Sequence, residues 1–421
     1  MRHDHPVRQV PISRNADFSR LWAGFTIARV GSQITVLALP LTAVLVLGAG
    51  ATETGLLVAA QFAPALLVGL FIGVWVDRLP RRPILIASDI GAALVVGSVP
   101  LAAAFGVLTL AQLYVVAFLG GLCGVATELA RTAFVPSLVG RAHLVPANSR
   151  LQASNAVAQV AGPSLGGVLV QALTAPVAMI FDAAAFIVSA ILIVAIRTRE
   201  VVRAAEECTS IWREIGDGLA WMRGHDVLFR SILAIALANV EWYAVQAILV
   251  VYATRELGLS PALLGLSIAA IGPLSLLGAA LAGPLTKRYG LGPLMIAALF
   301  LETVSRFLLP LAGGPPLQAA AILALSQALV GLTVPLWVVS SQTLQQAVTP
   351  ERLLGRVSAA TRFLSFGVAP PSAIGAGILA DAIGLRPTLL AAAVIAAIAF
   401  AYLFWSPVRG FHQPAAEPEP A

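Results

Sequence analysis

The stretch Gly73-Val-Trp-Val-Asp77-Arg78-Leu-Pro-Arg81-Arg82 separates two long apolar runs in a chain that otherwise carries few charges. Four of its last six residues are charged, and the apolar run before it has about 20 residues, the length that spans a bilayer. Such a cluster of charge is stable only where a chain leaves the hydrocarbon core. The stretch therefore predicts a short turn between two membrane-spanning helices.

The composition also indicates a membrane protein. Of 421 residues, 59% are hydrophobic and 11% are charged, whereas soluble domains average roughly 45–50% and about 25%. The apolar residues form twelve blocks of spanning length, which predict an all-α membrane protein with twelve transmembrane helices. We number these blocks spans 1 to 12, with approximate limits 20–47, 54–76, 83–106, 108–130, 147–171, 176–196, 229–253, 261–286, 291–311, 316–344, 356–380 and 387–406.

The positions of the basic residues predict the topology. The net charge of +6 could indicate a nucleic-acid partner, but Lys and Arg are concentrated in the even-numbered gaps between spans. The odd-numbered gaps contain only Arg255 and Arg386. Because cytoplasmic loops carry such an excess, we expect a multi-pass protein of the cell membrane with both termini in the cytoplasm. Nucleic-acid binding is not expected.

The sequence predicts neither a cofactor nor an enzyme. Cys123 in span 4 and Cys208 after span 6 are the two cysteines, and there is no metal-ligand spacing. No phosphate loop or nucleophile–base pair lies in the gaps. The first 17 residues lack the apolar core of a signal peptide.

A repeat divides the chain into two halves. Gly73 and Arg78, shifted by 210 positions, coincide with Gly283 and Arg288. The element 162–167 in span 5 has a looser counterpart at 370–377 in span 11. Gly and Pro recur often in apolar helices, but the agreement with the helix count favours a duplication. Two pseudo-symmetric bundles of six helices are therefore expected.

This organisation predicts five segments. They are a cytoplasmic tail at 1–19, an N-terminal bundle at 20–196, a cytoplasmic linker at 197–228, a C-terminal bundle at 229–406 and a disordered tail at 407–421. Within the linker, apolar residues recur on one helical face from Ile211 to Met222, which predicts an amphipathic helix at the membrane interface.

At these motifs the chain resembles the major facilitator superfamily, in the branch of macrolide-efflux proteins, enterobactin exporters and related drug:proton antiporters. The resemblance covers nearly all of the chain from Phe18 to about Val408. It rests on 73–82, on 162–167, on 134–141 leading to Asn148 and Asn155, and on 349–357. Two departures are that Pro80 replaces the usual glycine of the loop and that span 4 has no arginine near its middle, since Arg131 lies near its predicted end.

The resemblance implies proton-coupled efflux of amphipathic or lipophilic small molecules, such as a drug, a macrolide or a siderophore, by alternating access. Few fixed charges and several aromatic and amide side chains favour such a substrate over a sugar or a phosphate. A lysophospholipid flippase or an uptake permease on the same fold remains an alternative. A non-transporting receptor would be expected to add a soluble domain. A monomer is expected.

The resemblance also implies a conformational latch in the loop, formed by Gly73, Asp77, Arg78, Arg81 and Arg82. Asp77 would dock at the N-terminal end of span 11, near Gly355 and Arg356, where a helix dipole favours an anion. The three arginines could equally serve only as topology anchors.

The element of span 5, with Gly162, Pro163, Gly166 and Gly167, is associated with antiporters in the family. Pro163 removes a backbone hydrogen bond, and the glycines allow close approach or bending of the helix. Tight packing alone would explain the same residues.

Ionisable side chains inside a membrane need a partner, a cavity or a function. Glu302 and Arg306 are spaced i, i+4 in span 9, which predicts mutual neutralisation and a structural role. Asp89 in span 3 and Asp182 in span 6 are also expected to be structural.

Glu241, near the middle of span 7, has no basic residue one turn away and is the leading candidate for the proton carrier, because burial favours the protonated form of a carboxylate. Asn239, Tyr243 and Gln246 share the opposite face of that span. If that face lines the cavity, Glu241 points at a neighbouring helix and is structural. In span 1, Arg29 and Gln33 share a face with Thr26 and are expected to line the cavity.

Overall fold

The computed structural model describes residues 15–68, 79–140, 143–198, 200 and 211–411. These residues are almost entirely helical, and no strand occurs among them. The helices are α1 (Ala16–Leu45), α2 (Ala51–Leu67), α3 (Arg81–Ala104), α4 (Leu110–Val139), α5 (Leu144–Ala172), α6 (Ala175–Val194), α7 (Ile211–Arg223), α8 (Asp226–Val251), α9 (Pro261–Ala269), α10 (Ile271–Tyr289), α11 (Leu291–Leu311), α12 (Pro316–Val348), α13 (Glu351–Gly367), α14 (Ala369–Ile383) and α15 (Leu385–Phe404).

These helices supply the twelve predicted spans. Ten segments of the described chain are long and apolar enough to cross a bilayer, with α9–α10 and α13–α14 each counted as one. α2 is a shorter apolar helix. α5 is long enough but more polar, since it carries Asn148, Gln152 and Asn155. Large apolar side chains such as Leu94 and Ile191 are exposed on the helix surfaces, as expected for groups that contact lipid.

Several helix boundaries differ from the approximate predicted limits, and two of the differences, in α1 and α4, have a clear physical reason. α1 begins at Ala16 because the Asn15 side chain accepts a hydrogen bond from the backbone N–H of Phe18, an N-cap that removes one unpaired donor. α4 continues to Val139 instead of ending near residue 130, because Phe134 and Leu138 extend its buried face. Arg131 therefore lies within α4 and not at its end.

The predicted disordered tail at 407–421 is corrected in its first part. Pro407–Gly410 forms a short 3₁₀ helix, and Val408 is fully buried in an apolar cluster with α8, α11, α12 and α15. The backbone N–H of Gly292 donates to the carbonyl of Phe411. Two apolar side chains anchor this segment, whereas residues 412–421 lie outside the described chain.

The helices form two compact units. Unit 1 comprises Met1–Ala49, Ala60–Glu207 and Ser260–Gly265, and unit 2 comprises Gly50–Ala59, Cys208–Leu259 and Leu266–Ala421. In unit 1 the core is built by α1, α3, α4, α5 and α6, with Phe18, Leu85, Phe134, Leu151 and Ile193 among its buried residues. In unit 2 a core forms between α8, α11, α12 and α15, with Ala234, Met295, Leu299, Leu344 and Leu403.

The first turns of α2 and α9 pack in a matching way. In unit 2 a Cβ on Gly377 would lie against the carbonyl oxygen of Ala51, and in unit 1 a Cβ on Gly167 would lie against that of Pro261. Both pairs of positions are 210 apart, the offset of the sequence repeat. The same offset relates Gly55–Ala373 to Gly265–Pro163, and Gly121–Gln61 to Gly331–Ile271. The repeat thus recurs in individual backbone contacts.

Candidate functional site

A polar surface of unit 1, with Arg29, Glu128 and Gln152 exposed and Asn155 and Arg131 half-buried, is formed by α1, α4 and α5. The exposed Arg29 donates from Nε to Asn155 Oδ1 at 3.0 Å, and Asn155 Nδ2 donates to Gln152 Oε1 at 2.9 Å. On α4, Arg131 pairs with Glu128, one turn before it. We call these five residues the polar surface. It holds two guanidinium groups, one carboxylate and two amides on adjoining helices.

Aromatic side chains of α1 lie beside the polar surface. The Arg131 guanidinium lies 4.7 Å from the centre of the Phe25 ring. The Arg150 guanidinium lies 5.7 Å from the centre of the Trp22 ring. Trp22 Nε1 donates a hydrogen bond to Ser154 Oγ at 2.9 Å. Both rings are half-buried. Cation–π contacts of this kind hold the arginines in place while leaving donors for a ligand.

The α1 residues expected to line a cavity all meet α5. Thr26 bonds with Ser154 at 2.7 Å, Arg29 bonds with Asn155, and Gln33 is half-buried with its Cβ against Gly162. Of the three, Arg29 is exposed. Sequence reasoning did not identify Glu128 or Gln152 as its neighbours. Glu128 could have been found from its spacing, because an acidic residue three positions before Arg131 on a helix predicts an ion pair.

The glycines of the α5 element are contact points. A Cβ on Gly162 would meet Gln33 of α1, and a Cβ on Gly166 would lie 3.3 Å from the Cα of Ile34. Gly167 faces the first turn of α9, as described above. The element therefore packs two helices closely, the simpler of the two predicted roles. Pro163 is buried within the helix.

In unit 2 a buried charge cluster joins α8 and α11. Arg306 Nε lies 2.6 Å from Glu241 Oε2, and Arg306 Nη2 lies 3.5 Å from Glu302 Oε1. The exposed fractions are 0% for Glu241, 1% for Arg306 and 8% for Glu302. The guanidinium also lies 5.2 Å from the centre of the Trp242 ring. Neither Glu241 oxygen is aligned for a hydrogen bond with Arg306, so the contact is an ion pair.

This cluster corrects the expectation that Glu241 is an isolated carboxylate. The long side chain of Arg306 reaches Glu241 from α11. Glu241 therefore has no basic partner on its own helix, but it has one on the neighbouring helix. The predicted pairing of Glu302 with Arg306 is present, but at the longer distance. Glu241 points at a neighbouring helix, which was the alternative for a structural residue.

On the opposite face of α8, Asn239 Nδ2 donates to the carbonyl of Ser365 in α13 at 3.3 Å. Tyr243 is buried and Gln246 is half-buried. This face therefore also packs within unit 2 at two of its three predicted positions.

In the part of unit 1 that the structure describes, two carboxyl groups are buried without a neighbouring cation. Asp182 is 1% exposed and its Oδ1 has no hydrogen-bond partner; Asp89 is 2% exposed and its Oδ2 has none. The hydroxyl groups of Thr35 and Ser189, respectively, face them.

Only part of the loop between spans 2 and 3, at residues 73–82, lies among the described residues. Gly73, Asp77 and Arg78 lie outside the described residues. The backbone N–H of Arg81 donates to Glu200 Oε2 at 2.5 Å, and the Arg82 guanidinium donates to the carbonyls of Ile193 and Val194. Arg82 thus caps the C-terminal end of α6, where a cation is favourable. The Arg82 contact does not directly support either predicted role of the loop arginines, as part of a conformational latch or as topology anchors.

The expected docking point on span 11 has a partner in the linker. Arg356 Nη1 lies 3.0 Å from Asp217 Oδ2 of α7, and Gly218 lies against the Arg356 carbonyl. The linker helix therefore packs on α13. Among the described residues, no group of three or more His, Cys, Asp or Glu side chains is placed to hold a metal ion.

The chain matches the family model of the Major Facilitator Superfamily at residues 21–208 and 231–421. It is 30% identical over 382 residues to the multidrug efflux pump Tap of Mycolicibacterium fortuitum, which covers 88% of this chain and 90% of the relative. It is 23% identical over 376 residues to macrolide efflux protein A of Streptococcus pyogenes, covering 88% and 90%. Among solved structures it resembles the nucleoside transporter NupG, with a TM-score of 0.75 at 13% identity, covering 93% of this chain and 99% of that one.

Proposed function

The chain belongs to the major facilitator superfamily, and on that premise we propose that it exports amphipathic or lipophilic small molecules in exchange for protons. The observation that carries the proposal is the 30% identity to a multidrug efflux pump along 88% of the chain. A second relative of similar coverage is a macrolide efflux protein. Drugs and secreted metabolites are both included in this substrate class.

The polar surface supports the choice of substrate class. Arg29, Asn155 and Gln152 offer donors and acceptors on an exposed face, and the rings of Trp22 and Phe25 adjoin it. An amphipathic molecule needs a few placed polar groups and an apolar wall. A sugar or a phosphate would need more fixed polar groups than this surface carries.

We further propose that both termini are cytoplasmic, as the distribution of basic residues indicates. Under this orientation α1 and α5 begin, and α4 ends, on the cytoplasmic side. Glu128 and Arg131 then lie in the cytoplasmic half of α4, and Gln152 and Asn155 in that of α5. The polar surface would accept substrates from the cytoplasm or the inner leaflet, the direction that export requires.

The proposal is tested by expression in a bacterium that lacks its own drug pumps. We expect several-fold higher resistance to some macrolides or lipophilic cations than with an empty vector, and lower accumulation of ethidium. A protonophore should abolish the difference in ethidium accumulation. Higher accumulation with the protein would favour the uptake permease, and no change for any compound of a broad panel would contradict drug export.

A further inference from the structure

Asp182 has surroundings that the scaffold role does not explain. It lies in α6 where that helix packs on α1, and it is 1% exposed. A Cβ on Gly31 of α1 would lie 2.7 Å from Asp182 Oδ1, so the carboxyl group rests directly against the neighbouring backbone. The Thr35 hydroxyl is the neighbouring polar group, but neither Thr35 Oγ1 nor Asp182 Oδ1 makes a hydrogen bond of good geometry.

No charged side chain of the described residues compensates Asp182. The helices packed against α6 are α1, α3 and α5. Their charged groups are engaged elsewhere or lie in the first turns: Asp17 with Arg20, Arg29 with Asn155, Arg81 beside Glu200, Arg82 with the end of α6, Asp89 facing Ser189, and Arg150 over Trp22. An ionised carboxylate in this position would be buried without a counter-charge, which is strongly unfavourable.

The other half of the repeat shows how the same interface is neutralised. Gly31 corresponds by the 210-residue offset to Glu241, and Asp182 corresponds to the buried Ala392 in α15. Matching helices pack together in both halves, α1 with α6 in unit 1 and α8 with α15 in unit 2, and each of these pairs carries one buried carboxyl group, Asp182 or Glu241. Arg306 pairs with Glu241 in unit 2, whereas no described residue of unit 1 gives Asp182 such a partner.

We propose that Asp182, and not Glu241, is the proton-binding site of this transporter. It holds a proton while α1 and α6 are packed as observed and releases it when water reaches the carboxyl group. α1 carries both Gly31, which covers the carboxyl group, and Arg29 of the polar surface, so substrate and proton act on one helix. The inference rests on the proposed proton-coupled export.

The first test measures ethidium binding to the purified protein as a function of pH. Ethidium is suitable because its charge does not change with pH. If one proton competes with the ligand, the wild-type affinity should fall as pH is lowered, by up to about tenfold per pH unit. Asp182→Asn should bind ethidium with less than a twofold change over the same range. Asp89→Asn, which alters the other cation-free carboxyl group of unit 1, should retain the wild-type slope.

The outcomes separate this inference from the proposed function. A wild-type slope in Asp182→Asn overturns the role of Asp182 and leaves proton coupling intact. A wild type whose affinity does not depend on pH overturns proton coupling, and the role of Asp182 with it. Loss of the slope in Asp89→Asn instead would move the site to Asp89.

A second test uses the wild-type protein and does not depend on the stability of a variant. An apolar carbodiimide reacts with carboxyl groups that are protonated in apolar surroundings, and peptide mass mapping locates the adduct. We expect an adduct on Asp182 that declines as pH is raised, and none on Glu241. Absence of an Asp182 adduct at every pH overturns the proposal.

Discussion

At the scale of single residues, Glu241 forms an ion pair with Arg306, and the proton role that its isolation in the sequence suggested is proposed for Asp182 instead. Along its own helix Glu241 has no basic neighbour, and the sequence therefore presents it as isolated. In the sequence, Arg306 already has Glu302 one turn away on its own helix, so spacing within one helix could not reveal the closer contact with Glu241. Asp182 was expected to be structural because span 6 is expected to support the cavity and not to line it.

Arg306→Leu should destabilise the protein strongly. Among the described residues, Arg306 is the cation that pairs with the two buried carboxyl groups of Glu241 and Glu302. Breaking a buried ion pair by removing one partner costs about 3–5 kcal/mol. We expect low abundance in the membrane and a clearly lower melting temperature in detergent. Glu302→Gln is the matched control, since it leaves the 2.6 Å pair of Arg306 with Glu241 in place and should melt close to the wild type. Equal melting temperatures for the two variants would remove the structural role assigned to Arg306.

At the scale of helices, close backbone contacts explain the glycines that the sequence marked as a motif. Gly162 and Gly166 place α5 against α1, and Gly167 places it against the first turn of α9. Bending at Pro163 is not needed to account for these residues. The contacts depend on two helices at once, which is why a single-helix pattern left packing and bending equally plausible.

Gly167→Val should impair both stability and transport. Its side chain would collide with the Pro261 carbonyl, and such overpacking costs about 1–3 kcal/mol. Gly375→Val is the control, because a Cβ added to this helical glycine would have no atom within 4 Å apart from the adjoining backbone of its own helix. Gly377→Val, the repeat partner of Gly167, should behave like Gly167→Val in melting and ethidium-efflux assays. Similar behaviour of the 167 and 375 variants would contradict the packing role.

At the scale of the whole molecule, the two sequence halves are related by an offset that also appears in matched contacts. The helix count and the repeat were predictable because they depend on apolar length and on Gly and Arg spacing. Partners between helices were not, as Arg306, Glu200 and Asp217 show: each acts on a residue far away in the sequence. The order of residues 407–411 was missed because the Pro-rich composition of the tail conceals the buried Val408 and the half-buried Phe411.

The predicted topology is checked with reporter fusions. Those after residues 50 and 258 should be external, and those after residues 82 and 205 should be cytoplasmic, because the basic gaps stay inside. A reversed pattern would place the polar surface in the outer half of the membrane and would contradict the direction of export proposed here.

Proton-coupled export is tested most directly with purified protein in liposomes. Ethidium and internal pH are followed together, while valinomycin with equal potassium on both sides holds the membrane potential at zero. We predict that a pH gradient drives ethidium uphill, and that an ethidium gradient alone moves protons in the opposite direction. Ethidium movement that follows only its own gradient, with no effect of pH and no proton movement, would contradict the account.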